Sequence, residues 1–165
     1  MTREDYIRVT GPFREDPNKA KRLALANKAA TLFVFFSYPL ILLWLLSMRS
    51  ASLYRAIVVP LDGFLAVSVF RWLVNRKRPY EAFDIPPVLA KDTKGKSFPS
   101  RHVFSAMVIA VTVLTLTGFA LWGMLLVLAA AFLGWIRVVA GVHYPIDVIS
   151  GMLLGAAVGM IGLLL

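Results

Sequence analysis

Long uncharged runs alternate with short polar segments along this chain. Residues 29–48 carry no charge between Lys28 and Arg49. A helix of that length spans about 30 Å, the thickness of a bilayer's hydrocarbon core. The run predicts a transmembrane helix with a kink at Pro39. It is too long for a signal peptide, and Met48-Arg49 is not a small-residue cleavage site. Residues 52–75 form a second span, interrupted by Arg55, Asp62 and Arg71. The two arginines lie near its ends, where their stems can snorkel. Asp62 must face protein or water, and a pair with a nearby arginine is the expected solution.

Residues 76–98 read as a polar loop holding Pro79, Pro86, Pro87 and Gly95, and Pro99 is expected at the first position of the next helix. Residues 102–136 lack Lys, Arg, Asp and Glu at all 35 positions. One helix of that length would run roughly 52 Å, too far for a bilayer, so the run divides near Thr117-Gly118. The last apolar run, 148–165, is entered through Tyr144-Pro145-Ile146-Asp147. Its Gly151, Gly155 and Gly159 recur every four residues, which predicts close helix packing inside the molecule rather than a dimer seam. The pattern thus predicts an all-α, polytopic membrane helix bundle with spans at about 29–48, 52–75, 100–117, 119–138 and 145–165. Residues 1–165 make one domain, in which the polar, basic residues 1–28 lie along the interface as an amphipathic helix.

Composition sharpens this. Hydrophobic residues make up 59% and charged residues 16%, against roughly 45–50% and 25% in soluble domains. A disordered chain is excluded, and an ordinary soluble enzyme fits poorly. The net charge of +9 points to an anionic partner: lipid head groups, phosphates or nucleic acid. Nucleic acid ranks last, because the basic residues adjoin bilayer-spanning segments. With no cysteine, disulfides and thiol catalysis are impossible, and with only His102 and His143 no three-histidine site exists.

The alternation of spans brings the end of the second, the start of the third, the end of the fourth and the start of the fifth to one membrane face. Arg71, Arg78, Ser100, Arg101, His102, Arg137, His143 and Asp147 all lie at those ends. Arginine forks bind phosphate oxygens, and helix N-termini add backbone N–H donors. His143 and Asp147 are one helical turn apart, so the carboxylate can hold one ring nitrogen and leave the other free to attack. His102 is placed to protonate a leaving group. These residue types together suit phosphoryl transfer without a metal. Each residue alone would more often be solvated or bound to anionic lipid.

At these residues the chain resembles the type-2 phosphatidic acid phosphatase (PAP2) superfamily, in its membrane lipid phosphatase branch. That family carries the motifs Lys-x6-Arg-Pro, Pro-Ser-Gly-His and Ser-Arg-x5-His-x3-Asp. Here the first reads Arg71, six residues, Arg78-Pro79; the second reads Pro99-Ser100-Arg101-His102; the third reads Ile136-Arg137, five residues, His143, three residues, Asp147. The resemblance implies that His143 is a nucleophile forming a phosphohistidine, that Asp147 orients it, and that His102 protonates the leaving oxygen. It implies a phosphate cradle of Arg71, Arg78, Ser100 and Arg137, with no metal and no other cofactor. Three residues depart from the pattern: Arg71 replaces Lys, Arg101 replaces Gly and Ile136 replaces Ser. Arg101 is expected to contact a second anionic group, such as that of a diphosphate. The family's membrane members often have six spans, against the five read here.

The resemblance further implies a multi-pass protein of the cell membrane, bacterial in character, acting in lipid metabolism. Its substrate would be undecaprenyl diphosphate, phosphatidate or phosphatidylglycerol phosphate. Two alternatives stay open: a lipid phosphotransferase of the same fold, and a non-catalytic protein that binds anionic lipid. The membrane face of the site is open too. The positive-inside rule puts it in the cytoplasm with the N-terminus, whereas the family's lipid phosphatases more often work on the outer or lumenal side.

Overall fold

The computed structural model describes residues 1–164. Seven helices and no strands make up the described residues: α1 (Arg3–Arg14), α2 (Pro17–Ser47), α3 (Ser52–Val74), α4 (Pro79–Phe83), α5 (Arg101–Leu116), α6 (Ala120–Val139) and α7 (Pro145–Ile161). The expected all-α bundle is therefore present, with an apolar helix at each of the five expected places. By length and composition α2, α3 and α6 suffice to cross a membrane; α5 and α7, with 16 and 17 residues, are shorter.

α5 is the axis of the bundle. Every residue from Val103 to Val113 is buried, as befits a helix that is apolar on all sides. α3, α6 and α7 pack around it, with α2 completing the ring. The outer helices turn Phe36, Leu40, Leu65, Leu128 and Leu153 outward. In hydrocarbon such side chains carry no solvation penalty, so association rests on close packing instead. The α7 glycines supply it. A Cβ on Gly151 would lie 2.8 Å from the Ser100 carbonyl oxygen, and one on Gly155 2.7 Å from that of Phe104. The glycine stripe thus faces α5, the internal contact expected.

Three local expectations need correction. Residues 1–28 are not one interfacial helix: Thr2 caps α1, Asp16 caps α2 through the Asn18 and Lys19 amides, and residues 17–28 extend the membrane helix without a break. Pro99 is not the first residue of α5; Ser100 is the N-cap, and the Phe98-Pro99 bond is cis. Asp62 is exposed and forms no ion pair among the described residues. Of the two arginines on its own helix, Arg55 bonds the Gly162 carbonyl and the Ser52 hydroxyl, and Arg71 bonds the carbonyls of Ser97 and Pro99. The division between the third and fourth spans falls where expected, at Gly118, whose φ of +75° ends the run.

Candidate active site

The loop between α3 and α5 shapes one wall of the site. Asn75, in the left-handed conformation, stops α3 and turns the chain into the loop. The Glu81 carboxylate accepts the Arg78 amide at 2.8 Å and the Gly95 amide at 2.8 and 3.0 Å, folding the loop back on α4. The Val88 amide donates to Ala140, and the Ser100 amide donates to Asp147 at 2.8 Å, fastening the loop to the helix ends opposite.

His143 is not on a helix. It sits in the turn between α6 and α7, because Pro145 takes the first position of α7. The amides of Val142 and His143 both donate to the Arg137 carbonyl, and Gly141 turns the chain at φ +74°. Asp147, three residues past the N-cap, reaches back to accept the Tyr144 amide at 3.1 Å. The same Oδ2 lies 3.5 Å from Nδ1 of His143 and accepts the hydroxyl of Ser97. Oδ1 accepts Arg76 at 3.0 Å. Asp147 is fully buried, yet both its oxygens are engaged, which offsets its loss of water.

On the other side of the His143 ring, Nη1 of Arg78 stands 3.4 Å from Nε2. A proton on Nδ1, toward the carboxylate, leaves the lone pair on Nε2. Burial, with Arg78 and Arg71 adding to it, lowers the His143 pKa to about 4, against the pull of Asp147. The ring is therefore neutral at pH 7.

One cavity of about 310 Å³ collects Arg71, Arg78, Arg101, His102, Arg137 and His143 with Ser68 and the loop residues Lys91, Thr93, Lys94, Gly95 and Lys96. The two histidines and four arginines named from sequence thus line one space. Ser100, the N-cap of α5, is fully buried and is not among the lining residues, and Asp147 stands behind His143. The arginines differ in what they already hold. Arg71 donates to the carbonyls of Ser97 and Pro99. Arg78 donates to those of Gly95 and Val142. The side chain of Arg137 is buried with Nε unpartnered, and the Ser100 hydroxyl is also buried without a partner. Orphaned buried donors are costly unless a ligand meets them. Burial lowers the Lys91 pKa, and Arg78, Arg137, Arg101 and Arg71 lower it further, so the cavity holds cations short of counter-charge. No group of three His, Asp or Glu is placed to hold a metal ion among the described residues.

Ser97, Arg76 and Lys91 were not singled out from sequence. Arg76 and Lys91 belong to charged clusters in the polar loop, and Ser97 has no local signal beyond standing two residues before Pro99.

A family model described as the PAP2 superfamily matches residues 51–165. The chain belongs to the PAP2 superfamily. Among curated relatives, the decaprenylphosphoryl-5-phosphoribose phosphatase of Mycobacterium tuberculosis is 36% identical over 120 residues, 72% of this chain and 58% of that protein. The undecaprenyl-diphosphatase of Sulfolobus acidocaldarius is 32% identical over 88 residues, 53% of this chain and 42% of that protein. The PAP2 chain spans between 42% and 61% of the length of the curated relatives it matches. The crystal structure of Aquifex aeolicus LpxE is similar with a TM-score of 0.75 at 26% identity, covering 98% of this PAP2 chain and 94% of that one.

Proposed function

We propose that this protein is an integral membrane lipid phosphatase that hydrolyses a phosphomonoester or diphosphate through a phosphohistidine, using no metal. One observation carries the reading: His143 is a buried, neutral imidazole, backed by Asp147 at Nδ1, with Nε2 turned to the guanidinium-lined cavity.

The phosphoryl group of the substrate occupies the cavity, with its oxygens on Arg71, Arg78 and Arg137, on the Ser100 hydroxyl and at the N-terminal end of α5. Nε2 of His143 attacks phosphorus. The N–P bond forms as the bond from phosphorus to the lipid oxygen breaks, and His102 gives that oxygen its proton. Water then attacks phosphorus, His102 takes its proton, the N–P bond breaks and inorganic phosphate leaves. Asp147 balances the charge that His143 acquires in the first step.

Two observations support a lipid substrate. An apolar groove of about 450 Å³ between α2, α3 and α5 is lined by Phe35, Tyr38, Leu42, Leu61 and Phe64 and ends at Arg101 and His102. The names of the relatives, which include phosphatases of polyprenyl substrates, support the same class.

The test is inorganic phosphate release by purified protein from phosphatidate, phosphatidylglycerol phosphate, undecaprenyl diphosphate and a soluble phosphate ester. His143→Ala serves as control. Release from a lipid substrate, abolished in H143A, is expected. Release only when an alcohol acceptor is added identifies a phosphotransferase, and lipid binding without turnover identifies a non-catalytic protein.

A further inference from the structure

Resting on that reading, the geometry points to Arg101 as a specificity residue: it binds the second phosphate of a lipid diphosphate, between the reacting phosphoryl group and the lipid chain. Arg101 and His102 line both the cationic cavity and the apolar groove, so they stand where one opens into the other. Any substrate with its terminal phosphorus at His143 and its chain in the groove must pass them. His102 meets the first linking oxygen, the one that leaves. In a diphosphate the next group along the molecule is a second, anionic phosphorus centre, and in a monoester it is already carbon.

Arg101 suits the first case. Its guanidinium lies 5.2 Å from the centre of the Phe64 ring, which anchors it without using up its hydrogen-bond donors. It makes no ion pair among the described residues. Phe64 is itself part of the groove wall, so a single contact joins the cation to the path of the chain. Arg71, Arg78 and Arg137 are the buried arginines of the cavity, whereas Arg101 is exposed, which leaves it free for a second anion.

The experiment compares farnesyl diphosphate with farnesyl monophosphate, two esters of one chain, in mixed micelles with the full-length protein and its Arg101→Gln, Arg101→Lys and Phe64→Leu variants. The readout is the ratio of kcat/KM for diphosphate over monophosphate. R101Q is expected to lower that ratio at least about tenfold, the loss of one hydrogen bond to a charged group. R101K is expected to recover part of it, and F64L to lower it less than R101Q does. A smaller change in R101Q, or a parallel loss on both esters, overturns the inference while leaving the proposed function standing. Release from neither ester by the unsubstituted protein, nor from any lipid in the panel above, overturns both.

Discussion

The hydroxyl of Ser97 donates to Oδ2 of Asp147, the same oxygen that faces Nδ1 of His143 at 3.5 Å. A loop residue thus helps to set where the carboxylate points, and through it the histidine ring. A hydrogen bond to a charged group contributes about 1.5–3 kcal/mol. Ser97→Ala is expected to reduce kcat for phosphate release by about tenfold with a much smaller change in KM, and Ser97→Thr, which keeps the hydroxyl, to recover most of the loss. An unchanged kcat in S97A would show that the Tyr144 amide and Arg76 suffice to hold the carboxylate.

His143 links acidity to stability. Its folded-state pKa is lowered from 6.5 to about 4. Between those values the unfolded chain binds more protons than the folded one. The contribution of the neutral, buried ring is fully present above pH 6.5 and is lost as pH falls toward 4. His143→Asn removes this dependence. Thermal unfolding in detergent from pH 8 to 4 is expected to fall less steeply in H143N than in the parent.

Arg71 and Arg137 are both buried at the site but do different work. Arg71 holds the carbonyls of Ser97 and Pro99, whereas Nε of Arg137 is unpartnered. Arg71→Gln is expected to lower the unfolding temperature. Arg137→Gln is expected to leave it unchanged or raise it, while lowering kcat/KM by about tenfold or more through the loss of a charged hydrogen bond. Paired melting curves and phosphate-release assays distinguish the two arginines.

The α7 glycines give a test of packing. A side chain at Gly155 meets the Phe104 carbonyl, with no room to yield. Gly155→Leu is expected to destabilise the monomer by about 1–3 kcal/mol, the usual cost of overpacking, or more. Were the stripe a dimer seam, the same substitution would alter association in size-exclusion chromatography and spare the melting curve.

The membrane helices were legible because a charge-free run in hydrocarbon has only one way to satisfy its backbone within a single segment. The break at Gly118 was legible for a related reason: the run was too long for one crossing. The upward extension of α2 over residues 17–28 was hidden by its polar composition, although Asp16-Pro17 is a capping signal at the point where the helix starts. The residues converging on the cavity were legible from the alternation of spans and from the family motifs. Ser97, Arg76 and Lys91 were not, because the path of their loop is set by distant bonds. Glu81 to the Gly95 amide and Val88 to Ala140 are the chief examples. No periodicity records those. Asp62 shows the opposite failure, since a nearby arginine was present but had already been claimed by the end of α7.

Tyr6 of α1 is wholly enclosed, and its hydroxyl reaches the carbonyls of Ile85 at 3.2 Å and Gly141 at 3.4 Å. The first helix is therefore clasped to the turn that carries His143, and the two cannot part company across the bilayer. Whichever compartment receives a tag placed ahead of Met1 also faces the turn that carries His143, so a single protease-protection assay on that tag assigns the side of the membrane on which the cationic cavity lies.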